Sequence, residues 1–412
     1  MKETVIVGAK RTPIGSFGGA LASVPAPKLG AIAIKAALEH AQVNPKEVNE
    51  VIMGNVLTSA EGQSPARQAL IHAGLPHETA ALTIGKVCGS GLKSVMLAEQ
   101  AIRCGDADVI VAGGMENMSM TPYALEKARD GYRMGDGKVT DLMVRDGLWD
   151  AYGNCHMGSL AEKCAKEFQV TRETQDEFAM ESYTRAQSAI NGGKFKDEII
   201  EISVPQRRGD PVVVDTDEHP RYEKSNGKYE MAIDTESLAK LRPAFKKDGS
   251  VTAGNSSGIN DGAAALLLAS RDKAEELGLK PLLRWVGSAS AGTDPSHFAY
   301  GPIPATEKLL ERFELTIGDI GLVELNEAFA SQTLGCMRQL GLDPAITNVN
   351  GGAISLGHPT GCSGSRILVT LMHEMKRRAP EMPKDKPFYG LATLCVGVGM
   401  GSATLVEWIG DR

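Results

Sequence analysis

Three segments of this chain recur, in the same order, about 272 to 283 residues further on. ALEHAQVNPKEVNEVIMGNV, Ala37–Val56, shares with LLERFELTIGDIGLVELNEA, Leu309–Ala328, the order helix, turn, acidic residue, strand. CGSGLKSVMLAEQAI from Cys88 resembles CSGSRILVTLMHEM from Cys362, a small-residue turn opening an amphipathic helix. DVIVAGGMENM from Asp108 parallels GLATLCVGVGMG from Gly390, a buried strand running into glycines. One βα match is common by chance, but three kept in order favour two homologous halves. Seven short apolar runs (4–7, 51–53, 109–112, 263–268, 283–288, 322–325 and 389–394) alternate with helical stretches at 29–41, 91–104, 174–191, 306–313, 328–340 and 366–378. That alternation predicts an α/β fold with largely parallel sheets. Residues 121–252 break the rhythm and read as an insertion that caps a site or builds an interface. The expected division is 1–120 with 253–282, the insertion 121–252, and 283–412.

Composition narrows the function. A chain of 412 residues with 42% hydrophobic content can bury cores in two or three packed units. A net charge of -7 argues against a nucleic-acid partner, which needs a basic surface. The seven cysteines are scattered without a CxxC pair, so neither a disulfide framework nor a zinc ribbon is supported. No apolar run reaches membrane-spanning length, and the first residues enter a strand-like run without a signal-peptide segment. The expectation is a cytoplasmic protein that neither binds nucleic acid nor enters a membrane. Glycine reaches 46 residues while aromatics are 5%, which suits sites built from main-chain groups.

Several segments carry chemistry. In KVCGSGLKSVMLAEQAI, Cys88 stands where a helix begins, and the helix dipole is expected to lower its pKa toward the thiolate. A buried structural cysteine is the equal alternative. In NVNGGAISLGHPTGCSGSR, His358 lies in a glycine-rich loop ahead of a helix, a placement that suits a general base. In TLCVGVGMGSA, Cys395 ends a strand and alternating glycines leave N–H groups to face an oxyanion. In NEAFA, Asn326 either holds a water or caps a helix. AGNSSGINDGAAA reads as a polar turn entering a buried strand. Two cysteines and a histidine in glycine-rich turns suggest covalent thioester chemistry. Metal binding is the rival, without short ligand spacing to support it, and no metal is expected.

The set KVCGSG, GGMENMS, NEAFA, GGAISLGHPTGCSG and CVGVGMG, in this order, resembles the thiolase family over nearly the whole chain. GYRMGDGKVTDLMVRDGLWDAYGNCHMG looks like the biosynthetic acetoacetyl-CoA branch more than the degradative long-chain branch. The resemblance implies a five-layer αβαβα sandwich of two similar halves with an inserted loop domain. It implies an acetyl-CoA C-acetyltransferase that condenses two acetyl-CoA to acetoacetyl-CoA and CoA, with no cofactor beyond coenzyme A as substrate or product. By that resemblance Cys88 is the acetylated nucleophile, His358 takes its proton, and Cys395 removes the α-proton of the second acetyl-CoA. Asn326 would hold a water that forms one oxyanion hole with His358; the N–H groups of Cys88 and Gly397 would form the other. Leu148, His156, Met157 and Ser257 match the pantetheine and thioester end, Ser237, Phe245 and Ala253 match the rest of the coenzyme A contacts, Arg221 matches the adenine side, and Phe329 is a further coenzyme A contact. A homotetramer, a dimer of dimers, is implied by the loop segment.

The sequence departs from the family pattern in two places. Val398 stands where the last motif commonly has glycine, and HFAYGPIP places Phe298 and Tyr300 where many relatives are smaller, which bears on acyl preference. A degradative 3-ketoacyl-CoA thiolase with a longer pocket is the nearest rival. A carrier-protein ketosynthase would ordinarily carry histidine where Asn326 stands, and an inactive acyl-CoA binder would have no need of the intact Cys88, His358 and Cys395.

Overall fold

The computed structural model describes residues 1–218, 222–225 and 228–411. The first half runs β1 (Thr4–Arg11), α1 (Ala26–Ala41), β2 (Glu50–Gly54), α2 (Pro65–His72), β3 (Ala80–Ile84), α3 (Ser90–Cys104) and β4 (Val109–Asn117). Between β4 and the next long strand lie short hairpins, the helices α4 (Met157–Glu167) and α5 (Arg172–Asn191), and a short helix at Thr235–Ala239. The half closes with β5 (Asn260–Ser270). The second half comprises β6 (Leu283–Gly292), α6 (Pro302–Arg312), β7 (Ile320–Leu325), α7 (Ala330–Leu340), α8 (Thr360–Arg378), β8 (Tyr389–Val396) and β9 (Met400–Trp408).

The strands follow the order β7-β8-β9-β6-β1-β5-β4-β2-β3. Within each half this is one arrangement: first, fifth, fourth, then second strand outward. Thr347 forms a parallel bridge to Val323 on β7 and marks the third position of the second half. The halves meet through two antiparallel residue pairs, Val5 with Arg284 and Ile6 with Leu283. The internal repeat is therefore present in the topology.

Alternation along the strands sorts side chains into layers. In the first half Val5, Val7, Val51, Met53, Val109 and Val111 face α1 and α2. Their neighbours Ile6, Ile52, Ile110 and Ala112 face inward, with Leu92 and Val95 of α3 and Ile367 and Leu371 of α8. Leu322, Ala392 and Leu394 of the second half close that central core from the other side. Val323, Leu325 and Leu391 turn outward to Leu309 of α6 and Cys336 of α7. Five layers result, αβαβα. The central helix α8 is buried on every side from Thr360 to Met375, as a helix between two sheets must be.

The expectation of largely parallel sheets is corrected. Parallel pairing joins β2 to β3, β2 to β4 and β7 to β8. The pairs β1–β5, β1–β6, β4–β5, β6–β9 and β8–β9 are antiparallel. A helical crossover makes strands parallel, but β9 follows β8 after the turn at Gly397–Gly399, and β5 returns antiparallel beside β4 after the long segment 118–259.

The segment between β4 and β5 is fastened to the first half by Arg11. Its guanidinium is fully buried, 2.7 Å from Glu198 and 2.6 Å from Asp217. Among the described residues no helix is long and apolar enough to cross a membrane.

Candidate active site

Cys88 stands on a turn between β3 and α3. Gly89 N–H donates to Lys86 O at 3.0 Å, and Ser90 Oγ donates to Val87 O at 2.7 Å. Val87 has φ +46°, a region that a β-branched residue occupies only under strain. The turn ends in α3, so the sulfur lies at a helix N-terminus, as the sequence predicts. Its acidity differs from the expectation. Burial pushes the thiol up to about 11, while its own N–H and that of Gly397 donate to the sulfur and oppose the rise. The resting group is a thiol, because desolvation outweighs the donors at the helix end.

His358 precedes α8 in the second half. Its N–H donates to Asn260 Oδ1 at 2.9 Å, and its Nδ1 lies 2.6 Å from Ser363 Oγ. Nε2 is buried without a protein partner. Burial, helped by the Arg366 charge, lowers the imidazole pKa to about 4. Neutral imidazole with a free ring nitrogen is a base ready to accept a proton. Gly357 before it has φ +108°, and a Cβ there would strike the Asn260 side chain, so only glycine lets the loop close on this anchor.

Cys395 ends β8 and is buried; desolvation, with Cys88 close enough to add to it, pushes its thiol well above the usual range. Cys88, His358 and Cys395, far apart in sequence, line one cavity of about 370 Å3. A larger groove of about 500 Å3 over α1, between Lys28 and Ile202, contains none of the predicted residues. Asn326 follows β7, donates its N–H to Thr393 O at 3.0 Å, and has both side-chain amide atoms buried and unpartnered. An orphaned buried amide is a place for an ordered water. It is not the helix cap; Phe329 holds that position before α7.

Two family models cover the chain: the thiolase N-terminal domain over residues 4–272 and the thiolase C-terminal domain over residues 279–408. The chain belongs to the thiolase family. Its relatives include an acetyl-CoA acetyltransferase of Cupriavidus necator, 54% identical over 99% of this chain and 100% of that one. Another, from Chromobacterium violaceum, is 55% identical over 98% of this chain and 99% of its own length. The crystal structure of the Bacillus anthracis acetyl-CoA acetyltransferase superposes with a TM-score of 0.93 at 44% identity, covering 99% of both chains.

In this thiolase the cavity walls hold seven further residues named from the sequence. Leu148, His156 and Met157 come from the segment after β4, Phe245, Ala253 and Ser257 from the stretch before β5, and Phe329 from the second half. His156 stacks on Phe245 at 4.7 Å, and Phe245 meets the edge of Phe329 at 6.2 Å. Ser257 N–H donates to Ala328 O at 3.0 Å, which seats the polar turn against NEAFA. Ser237 is exposed on the short helix Thr235–Ala239 and does not line the cavity. Arg221 lies outside the described residues. Phe298 lines the cavity, whereas Tyr300 turns away and donates to Glu167 at 2.7 Å. Val398 has φ +61° in the β8–β9 turn, the left-handed region that glycine enters freely.

Sequence reasoning missed Asn260 and Ser363, which hold His358, and Glu327. The Glu327 carboxylate accepts from Ser182 Oγ at 2.7 Å, Asn348 Nδ2 at 2.9 Å and Ile354 N–H at 3.2 Å, tying NEAFA to the loop that leads to His358. Two carboxylates, Glu324 and Glu327, within the strand-like VELNEAFA were the available signal.

Proposed function

We propose that this thiolase is an acetyl-CoA C-acetyltransferase that condenses two acetyl-CoA into acetoacetyl-CoA and CoA, reversibly, through an acetylated Cys88. The observation that carries the reading is the unpartnered Nε2 of His358 in the same cavity as two thiols. Cys88 attacks the thioester carbonyl as His358 takes its proton, so no free thiolate need accumulate. The N–H groups of Cys88 and Gly397, already directed at the sulfur, receive the oxyanion.

Cys395 is too deeply desolvated to rest as a thiolate. It gives its proton to the departing CoA sulfur and, as the thiolate so formed, removes the α-proton of the second acetyl-CoA. The enolate oxygen is held by His358, now protonated, and by a water on the Asn326 amide. The enolate carbon attacks acetyl-Cys88, the Cys88 sulfur leaves, and His358 returns its proton. Both thiols and the imidazole end as they began. Coenzyme A is substrate and product, and no metal or further cofactor is needed.

Residues 121–252 act here as the inserted loop domain between halves 1–120 with 253–282 and 283–412. We read Ser237 and Arg221 as contacts toward the nucleotide end of coenzyme A. A homotetramer is favoured by the exposed Tyr123, Leu125, Met134 and Val139 around the hairpin Tyr123–Ala124/Thr140–Asp141, apolar surface that suits contact with another copy. A cytoplasmic location remains part of this reading. The test is mass spectrometry of the chain after incubation with acetyl-CoA. An acetyl group on the peptide carrying Cys88, absent from Cys88→Ser, supports the reading; an unmodified wild-type peptide refutes it.

A further inference from the structure

The GGMENMS motif, residues 113–119, is left without a task by the mechanism above. Its Glu116 ends β4 and is fully buried. One carboxylate collects five donors: Asn55 Nδ2 at 2.8 Å, Val56 N–H at 3.1 Å, Leu57 N–H at 3.0 Å, Thr360 Oγ1 at 2.9 Å and Gly361 N–H at 2.8 Å. The first three belong to the loop after β2. The last two open α8, one and two residues beyond the Pro359 that follows His358. All five donors are neutral, so the cluster is held by hydrogen bonds to an acceptor and by the positive end of the α8 dipole. The space admits little else: a Cβ on Gly361 would lie 2.8 Å from Glu116 Oε2 and 2.6 Å from Met115 O.

The two loops so joined both serve the site. Leu57 packs with Met118 and Leu148, which form a cavity wall. Thr360 lines the cavity beside His358. Glu116 also stands close enough to Cys88 for its charge to oppose the thiolate, as does burial, which contributes more; burial raises the carboxyl's own pKa as well, and the N–H and hydroxyl donors work against that rise. Glu61, the other carboxyl beside it, is pushed up to about 8 by burial and by Glu116 itself, and so is mostly protonated near neutral pH.

We infer that Glu116 is a positioning residue: its carboxylate, reaching from the first half, fixes the start of α8 in the second half and thereby the His358 loop opposite Cys88. The inference rests on the acetyltransferase reading, and its test separates the two. Glu116→Gln puts an amide against five donors. We expect kcat for thiolysis of acetoacetyl-CoA to fall about 10- to 100-fold, as a displaced catalytic group requires, with KM for CoA within threefold. Alkylation of Cys88 by iodoacetamide in the free enzyme should move to lower pH, since a nearby negative charge is gone; loosening of the fold would hydrate the sulfur and move it the same way, so the shift is assigned to the charge by its absence in Glu116→Asp, which disturbs the packing and keeps the charge.

Glu116→Asp keeps the charge and shortens the reach. Its kcat should fall while its alkylation profile stays at the wild-type position. A kcat within twofold of wild type in either variant, or an unmoved alkylation profile in Glu116→Gln, overturns the inference. If Glu116→Gln does not fold, Glu116→Asp decides alone on kcat. A wild-type enzyme that captures no acetyl group would instead sink the acetyltransferase reading.

Discussion

Replacing His358 by alanine separates two accounts of how Cys88 becomes a nucleophile. In one, thiolate and imidazolium form a standing ion pair; in the other, both groups rest neutral and the proton moves during attack. The structure sets the thiol at about 11 and the imidazole at about 4. A gap of about seven pH units makes transfer in the resting site cost about 10 kcal/mol before the attraction between the two new charges offsets part of it, at about 1.4 kcal/mol per unit. Both shifts favour the neutral pair before substrate arrives. His358 helps only when the attacking sulfur sheds its proton, where a positioned base contributes about 10²- to 10⁴-fold.

The assay compares two reactions of one sulfur. Acetylation by acetyl-CoA, followed by mass spectrometry at pH 7.5, should fall about 10²- to 10⁴-fold in His358→Ala. Alkylation by iodoacetamide at pH 9, limited by thiolate that solvent base generates, should stay within about threefold, because no ion pair is lost. The wild-type alkylation rate should climb with pH from neutrality upward. A flat wild-type rate between pH 5 and 8 that vanishes in His358→Ala would mean a standing thiolate and refute the reasoning.

Three further outcomes follow from the same structure. Val398→Gly relieves a β-branched residue at φ +61°; relief of about 1–2 kcal/mol less a glycine entropy cost of about 0.5–1 kcal/mol leaves a gain of about 0.5–1 kcal/mol in urea unfolding, and a loss of stability would contradict it. Arg11→Ala strands Glu198 and Asp217 in the interior and should cost about 3–5 kcal/mol by the same measurement; a cost under 1 kcal/mol would show that water replaces the guanidinium. Phe298→Ala opens the cavity wall where Phe298 meets the edge of Phe329. The ratio of eight-carbon to four-carbon 3-ketoacyl-CoA thiolysis should rise about tenfold, and an unchanged ratio would place the acyl limit elsewhere.

The expected apolar runs all lie within strands, and the expected helices all overlap helices, because each carries a burial pattern strong enough to read from one sequence. β3 escaped notice since it is an edge strand of mixed exposure, AALTI, with Leu82 open to solvent. β9 was missed because only the turn before it was read, as chemistry. Strand direction was misjudged for want of any local signal: pairing across β1 joins residues more than 250 apart. At the site, Cys88, His358 and Cys395 stood out because thiols and imidazoles are unusual in glycine-rich turns, and the fold brings all three to one cavity. The acidity of Cys88 was not, since the helix end is visible in sequence and the burial that overrides it is not. Asn260 and Ser363 look like ordinary turn residues until the chain folds back and places them on His358.

The repeat explains why the site cannot belong to either half. Each half offers two equivalent positions: the loop before its central helix and the end of its fourth strand. The first half fills them with Cys88 and Glu116, the second with His358 and Cys395. The wiring then crosses. Glu116 reaches the first turn of α8, behind His358, while Gly397, two residues after Cys395, directs its N–H at the Cys88 sulfur. Close approach makes this possible: a Cβ on Gly91 of α3 would lie 2.8 Å from Ser365 N of α8, and one on Gly364 would lie 2.5 Å from Leu92 N. The two central helices touch backbone to backbone at the ends that carry the chemistry. A bulkier residue at Gly91 or Gly364 would part these ends and so separate Cys88 from His358 without touching either, and on the proposed mechanism turnover would be lost from within the core.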